Sequence, residues 1–285
     1  MKASKVILIG TGRLACACLE SCLDRTQSVA CLEPESATFS NLRSLCTKRA
    51  VEYQCILDRK AISSFFLACT SPTLVVSAYN SFLFPAAVLA SPWLNIVNFH
   101  NSLLPRHRGR NAPTWTIFEM DSATGITWHQ VSPQVDEGDI ICQRELDVPA
   151  DISAILLTQK TLDLGAQAFR DILPSLLEGT YTSRPVGHHE DGTLHRSADV
   201  PNHGVLDLAW DLSKAHAFLR SLDYGKARVF PPAQVPLLGW RFSVLSYSVE
   251  TEYTTPSRGI GVEARNDELV LRDGGRRLTI HLCPS

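Results

Sequence analysis

The chain of 285 residues carries 27 basic and 29 acidic side chains, for a formal net charge of −2. This balance gives no global electrostatic case for binding nucleic acid. A hydrophobic content of 45% is ordinary for a globular protein, and the length suits one large core or a large and a small domain. No stretch approaches the ~18 apolar residues of a membrane helix, and the apolar run at 6–9 is too short for a signal-peptide core. We therefore expect a cytoplasmic protein without a membrane partner.

The first 33 residues predict a strand, a glycine turn, a helix and a second strand. The turn Gly10-Thr-Gly12-Arg-Leu-Ala15 fits the G-x-G-x-x-A pattern of dinucleotide-binding proteins, and Glu33 ends the next apolar run, where a ribose-binding acid would lie. One interpretation is therefore an NAD-dependent oxidoreductase. The match is short, however, and the same glycines serve to turn a strand tightly into a helix.

Strand and helix patterns alternate through the first half of the chain. A helix is expected over 40–50, a buried strand over Thr73–Tyr79 and a short helix over 86–90, and the apolar run at 93–97 reads as a further buried strand. This alternation predicts an α/β fold with a doubly wound, mostly parallel sheet and helices on both faces.

A polar pair ends the strand at 93–97. Asn98 and His100 are two positions apart, so their side chains share a face. An amide that donates to an oxyanion beside an imidazole that handles a proton suits acyl-transfer chemistry. The alternative is that Asn98 caps a turn and His100 is an ordinary loop histidine.

An acidic turn, Val135-Asp-Glu-Gly-Asp139, leads into another apolar strand. If the Asp136 carboxylate lies close to His100, it favours the imidazolium and fixes the tautomer of the ring. An ordinary turn acid before glycine is the alternative for Asp136. His129, in the preceding strand, alternates with Thr127. Its side chain either faces the site or is that of a structural histidine, and the second interpretation is preferred.

Three motifs in this order resemble the 10-formyltetrahydrofolate-dependent formyltransferases: N-x-H-x-S-L-L-P from position 98, T-G-I-T-x-H from 124, and V-D-x-G-D-I-I from 135. That family includes methionyl-tRNA formyltransferase, glycinamide ribonucleotide transformylase and amino-sugar N-formyltransferases. The resemblance is dense over 75–143 and implies a catalytic trio of Asn98, His100 and Asp136. The aspartate follows the histidine by 136 − 100 = 36 residues, as in the family.

The resemblance also implies a co-substrate, 10-formyltetrahydrofolate, and no metal. Residues that match the family's folate site fall in three loops: Phe82, Leu83 and Phe84; Ser102, Leu103, Leu104, Pro105 and Arg110; and Ser132, Pro133, Gln134 and Val135. The loop at 82–84 would contact the pterin largely through its backbone. Arg106 and Arg108 are candidates for binding a phosphate or carboxylate of the substrate or the folate tail, with solvated loop charge as the alternative.

Nine cysteines without a C-x-x-C pair or a histidine at ligand spacing favour free thiols and no zinc site. Histidines at 188, 189, 195 and 203 fall in a segment rich in Gly, Pro and Thr and are interpreted as exposed loop residues.

The second half begins with a long amphipathic helix over 153–177, which Pro174 is expected to break or kink. Short alternating strands near the C-terminus predict a small β-rich domain. We predict a catalytic domain over 1–184, a linker over 185–204 and a C-terminal domain over 205–285. The last resembles the domain that follows the catalytic domain in methionyl-tRNA and amino-sugar formyltransferases.

The acceptor is predicted to be a primary amine or hydroxylamine of a small metabolite, carrier-bound or free, in specialised metabolism or amino-sugar synthesis. Methionyl-tRNA is the alternative, which the absence of a strongly basic stripe in the C-terminal segment disfavours. A non-enzymatic binding module is disfavoured because competent residues fill all three trio positions.

Overall fold

The computed structural model describes residues 2–34, 40–187, 192–227, 229–251, 261–265, 267–273 and 275–284. The predictions for His188 and His189 lie outside these residues. The described residues form two compact units that interleave in sequence. The first comprises Met1–Gly109, Thr124–Leu146 and Gln159–Leu194, and the second Arg110–Ala123, Asp147–Thr158 and His195–Ser285. The predicted cuts at 184 and 205 follow the chain linearly and stay a prediction.

The elements before residue 150 alternate as the sequence predicts. The strands are β1 (Lys5–Gly10), β2 (Val29–Glu33), β3 (Glu52–Cys55), β4 (Thr73–Ala78), β5 (Leu94–His100), β6 (Arg108–Gly109), β7 (Ala123–Gln130) and β8 (Ile140–Asp147). The helices are α1 (Gly12–Leu23), α2 (Asn41–Arg49), α3 (Arg59–Leu67), α4 (Ala86–Leu89) and α5 (Ala112–Phe118).

The later elements are α6 (Ala154–Glu178), β9 (Leu194–His195), a 3-10 turn (Pro201–Gly204), α7 (Leu212–Leu222), β10 (Gln234–Leu237), β11 (Trp240–Thr251), β12 (Gly261–Arg265), β13 (Glu268–Asp273) and β14 (Arg276–Pro284). Pro174 does not break the long helix, since α6 continues to Glu178, whereas the expected kink stays a prediction. Proline removes one hydrogen bond to the residue four positions earlier. That residue, Arg170, lies on an exposed face of the helix, where water can replace the lost donor.

The first unit contains a sheet in the order β3-β2-β1-β4-β5-β7-β8. Its strands from β3 to β5 are parallel, and β7 runs antiparallel to β5. Alternate side chains of β1 enter two different apolar clusters. Val6 and Leu8 pack in the cluster that holds Trp128, whereas Ile7 and Ile9 pack in the one that holds Phe66. Both faces of the sheet are therefore covered, which confirms the predicted doubly wound, mostly parallel fold.

The second unit contains an antiparallel sheet in the order β10-β11-β14-β13-β12, which confirms the predicted β-rich segment. Its apolar core joins this sheet to α7 through Phe218, Leu271 and Ile280. Among the described residues, no helix combines the length and the apolar character that crossing a bilayer requires. All nine cysteines lie within the described ranges and are free thiols.

The turn between β1 and α1 shows what its glycines do. A Cβ on Gly10 would lie 2.1 Å from the carbonyl oxygen of Ala78, so the close approach of β4 requires glycine there. The Glu33 carboxylate is 2% exposed and accepts hydrogen bonds from the hydroxyls of Ser40 and Tyr53, each at 2.5 Å. Both features have a structural role, which leaves the dinucleotide pattern without its ribose-binding acid.

Candidate active site

Three polar side chains form a row across the middle of the first unit's sheet. Ser77 on β4 is the register partner of Asn98 on β5, and Asn98 is the register partner of His129 on β7. Register partners point to the same face of a sheet, so the three side chains meet. The Ser77 hydroxyl donates to Asn98 Oδ1 at 2.5 Å, and Asn98 Nδ2 lies 3.1 Å from His129 Nε2.

The acidic turn after β7 brings Asp136 to this row. A Cβ on Gly138 would lie 1.7 Å from the carbonyl oxygen of Gln130, so glycine is needed for the turn to fold back against the end of β7. Asp136 has a left-handed backbone (φ 55°), which aspartate tolerates better than most residues. Its side chain is 10% exposed, and its Oδ2 accepts the Gly109 backbone N–H at 2.7 Å.

Asp136 faces two imidazole rings. Its Oδ2 lies 3.3 Å from His100 Nδ1, and its Oδ1 lies 3.4 Å from His129 Nε2. The structure therefore brings Asn98, His100 and Asp136 together, with His129 touching both Asn98 and Asp136. Of the two interpretations of His129, the structure therefore favours the one in which its side chain faces the site.

The protonation of His100 follows from its surroundings. Its Nε2 lies 2.8 Å from the His107 carbonyl oxygen, an acceptor, so Nε2 carries a hydrogen. Nδ1 then faces the Asp136 carboxylate and gains a hydrogen only in the imidazolium. Burial lowers the pKa of His100, and the Asp136 charge opposes that shift without overcoming it. Asp136 thus favours the imidazolium as expected, but the net direction is the opposite of the one that the carboxylate alone would produce.

Asp136 itself is ionised. Burial acts to raise the pKa of this carboxyl, but the His100 and His129 rings and the Gly109 N–H together hold it well below its usual range. The site thus holds a fixed negative charge beside a buried imidazole, with an amide two residues along the same strand. This arrangement can polarise a carbonyl oxygen and move a proton.

Comparison with known proteins identifies the family. The family model described as formyl transferase matches residues 5–173, more than half of the chain. The chain belongs to the formyl transferase family. It is 24% identical over 286 residues to the methionyl-tRNA formyltransferase of Clostridioides difficile, covering 94% of this chain and 91% of the relative. It is 26% identical over 195 residues to the GDP-perosamine N-formyltransferase of Brucella melitensis, covering 68% and 71%.

Among solved structures, this formyl transferase is similar to WlaRD, a sugar 3N-formyl transferase crystallised with dTDP and 5-N-formyl-THF. The TM-score is 0.74 at 12% sequence identity, over 99% of this chain and 98% of that one. At this identity the likeness concerns the fold, including the small β-rich segment after the catalytic sheet.

The residues that the resemblance assigned to folate binding occupy varied positions in this formyl transferase. Phe82 is buried against Phe66 and Phe84, and its backbone N–H is taken by Asn80 Oδ1 at 2.7 Å, whereas Leu83 is 59% exposed. The Phe82 N–H is therefore bonded within its own loop, and the predicted contact of this loop with the pterin stays a prediction.

The other two predicted loops divide into buried and exposed parts. The buried or half-buried positions are Ser102, Leu103, Leu104, Pro105 and Ser132, and the exposed positions are Pro133, Gln134, Val135 and Arg110. The Ser102 hydroxyl donates to the Arg106 carbonyl at 2.5 Å. Ser102 therefore shapes its own loop. Arg110 belongs to the second unit.

The two loop arginines differ. Arg108 is 9% exposed and forms an ion pair with Glu137, and it donates to the Gly192 carbonyl at 3.3 Å. It therefore braces the acidic turn, an intramolecular role that neither of its predicted alternatives included. Arg106 is exposed, as a residue that meets a charged substrate would have to be.

Proposed function

We propose that this protein transfers the formyl group of 10-formyltetrahydrofolate to a primary amine or hydroxylamine of a small metabolite. The observation that carries the proposal is that Asn98 and Asp136, both half-buried, meet the buried His100 and His129 in a chain of the formyl transferase family. The family relatives support the reaction class. The complex of WlaRD with a formylated folate supports the choice of one-carbon donor.

The proposed reaction begins when a neutral amine attacks the formyl carbon attached to N10 of the folate. The C–N bond that forms gives a tetrahedral intermediate with an oxyanion and a positively charged amine nitrogen. Asn98 Nδ2 donates a hydrogen bond to the oxyanion, an interaction typically worth about 2.7–4 kcal/mol in such sites. Collapse of the intermediate breaks the bond to N10 and leaves the formamide.

One proton must pass from the amine nitrogen to N10 for the atoms to balance. We assign its relay to His100, whose lowered pKa leaves the ring neutral and able to take the proton at neutral pH. The relaying atom is Nδ1, the ring nitrogen without a hydrogen in the neutral ring, because Nε2–H stays bonded to the His107 carbonyl. In the imidazolium formed in between, the Nδ1–H taken from the amine and later given to N10 lies beside the Asp136 carboxylate, which stabilises the charge. Asp136 thus stabilises the charged ring during the reaction rather than at rest.

The acceptor is proposed to be a small amine from amino-sugar or specialised metabolism. The amino-sugar option is supported by the likeness to a GDP-perosamine N-formyltransferase and to a sugar 3N-formyl transferase. Methionyl-tRNA is the second candidate, supported by the longest match among the relatives reported above, to a methionyl-tRNA formyltransferase. A carrier-bound amine in specialised metabolism rests on the sequence resemblance alone.

The test is a panel of acceptors incubated with 10-formyltetrahydrofolate, with tetrahydrofolate formation read by absorbance. The panel contains nucleotide-linked amino sugars, free amino acids, a hydroxylated ornithine, an aminoacylated carrier protein and methionyl-tRNA. The proposal predicts turnover with a small amine, at a rate well above that with methionyl-tRNA. Turnover with methionyl-tRNA alone would establish the second candidate. Reduction of NAD by an alcohol, without formyl transfer to any amine, would establish the oxidoreductase alternative.

A further inference from the structure

We propose that Ser77 is a positioning residue that holds the Asn98 carboxamide with its nitrogen toward the reacting atoms. The inference rests on the proposed function, in which Asn98 Nδ2 donates to the oxyanion. An asparagine side chain turned by 180° would present its oxygen there instead and repel the developing negative charge. The orientation of this amide is therefore part of catalysis, and the neighbouring residues must set it.

One end of the hydrogen-bond chain is fixed by a backbone donor. The Phe82 N–H can only donate, and it lies 2.7 Å from Asn80, so the Asn80 atom there is the oxygen. Asn80 Nδ2 then faces Ser77 Oγ at 2.5 Å and donates to it. The single hydroxyl hydrogen of Ser77 remains for Asn98 at 2.5 Å, and the Asn98 atom that accepts it must be Oδ1.

The other end is fixed by a backbone acceptor. The Gln130 carbonyl oxygen lies 2.7 Å from His129 Nδ1, so this ring nitrogen carries the hydrogen in the neutral ring. In that form His129 Nε2 takes a hydrogen bond from Asn98 Nδ2 at 3.1 Å, whereas in the imidazolium its Nε2–H faces Asp136 Oδ1 at 3.4 Å. The Phe82 end specifies the orientation of Asn98 in both forms of the His129 ring, and it directs Nδ2 away from Ser77 and leaves an Nδ2 hydrogen for the substrate oxygen.

A reversed amide would break the chain at Ser77. Its nitrogen would meet the Ser77 hydroxyl, whose hydrogen would lose its acceptor, and beside a neutral His129 ring its oxygen would also meet the lone pair of Nε2. The register of β4, β5 and β7 keeps these groups in one row, and Ser77 and His129 are only 1% and 2% exposed, so water cannot readily substitute. Because Asn80 ties the row to Phe82, the predicted pterin loop and the oxyanion donor are linked through side chains.

The experiment is a double-mutant cycle with Ser77→Ala and Asn98→Ala. Loss of one hydrogen bond to the amide, while His129 keeps the other, should lower kcat by about 3- to 10-fold. The KM for 10-formyltetrahydrofolate should change by less than about twofold, since a positioning loss falls on kcat. In the Asn98→Ala background, Ser77→Ala should have almost no further effect, because no amide remains to orient.

A matched control is Ser21→Ala, which deletes a buried hydroxyl that donates only within its own helix, to Ala17 at 2.8 Å. It should leave kcat unchanged. Additive losses in the cycle, or an equal loss in Ser21→Ala, would show that Ser77 acts through stability alone and would overturn the positioning role.

A second measurement does not depend on catalysis. In protein labelled with 15N-asparagine, the Asn98 side-chain signal is assigned by its absence from the Asn98→Ala variant. Ser77→Ala should shift this signal and speed its hydrogen exchange, whereas Ser21→Ala should not. An unchanged signal would overturn the proposed orientation even if the enzyme is active. Conversely, a changed signal in a protein that formylates no amine would support the orientation and contradict the proposed function.

Discussion

Replacing Asp136 by Asn removes the charge beside His100 and keeps the shape of the side chain. Asp136 Oδ2 lies 3.3 Å from His100 Nδ1 and accepts the Gly109 N–H at 2.7 Å, a bond that the amide oxygen of the variant can also accept. What is lost is a charge-assisted hydrogen bond to the imidazolium, worth about 1.5–3 kcal/mol. With about 1.36 kcal/mol for each factor of ten, kcat should fall by about 10- to 150-fold.

The same loss should lower the pKa of His100 further, since the carboxylate is the group that opposes the effect of burial. The assay is formyl transfer followed by folate absorbance, together with an NMR titration of the His100 ring. Asp139→Asn is the matched control, because Asp139 is an exposed carboxylate on the same turn, and it should behave as the wild type. A full rate in Asp136→Asn, or an unchanged His100 titration, would refute the role given to this carboxylate.

Two further predictions concern the turn and the second unit. Gly138→Ala should reduce formyl transfer by more than about 100-fold, because the new Cβ at position 138 would lie 1.7 Å from the Gln130 carbonyl oxygen and the turn that carries Asp136 must move. A crystal structure of the variant with this turn in its original position would contradict the prediction. Burial and the Arg220 guanidinium lower the pKa of His216 to about 4, so between about pH 6.5 and 4 only the unfolded chain takes up this proton and stability falls as pH falls. His216→Gln should therefore lose less Tm than the wild type between pH 7 and 4.5, and equal losses would contradict the assignment.

The local sequence pattern was sufficient to predict much of the fold, because the buried strands are short apolar runs bounded by turn residues. β1, β4 and the β5 core are such runs, and the predicted alternation led directly to a doubly wound sheet. Helix α3 was not predicted although Asp58 caps it and Ile62 and Phe66 lie on its buried face. The short strand β3, in contrast, had no local signal. β3 is a half-exposed edge strand of four residues, Glu52–Cys55, without a marked apolar alternation.

The candidate site was predictable for residues that lie close in sequence or match family motifs. It was not predictable for residues whose contacts are set by the register of neighbouring strands. Nothing local to Ser77 or His129 indicates that they lie on either side of Asn98. That placement follows from β4 and β7 both pairing with β5, a non-local property. Likewise, the sequence around Arg108 does not indicate its ion-pair partner Glu137, which lies 29 residues away in the chain. A prediction of strand order made from the motifs would have suggested the His129 contact.

The most direct test of the account follows the formyl group itself. 10-Formyltetrahydrofolate labelled with 13C at the formyl carbon is mixed with the enzyme and the best amine from the panel, and the label is followed by NMR. We predict that the label moves to the amine nitrogen in the wild type and in Asn95→Ala, a control on the same strand, and 10²–10³-fold more slowly in Asn98→Ala. Label that stays on the folate or is released only as formate, or equal rates in Asn98→Ala and the wild type, would contradict the account.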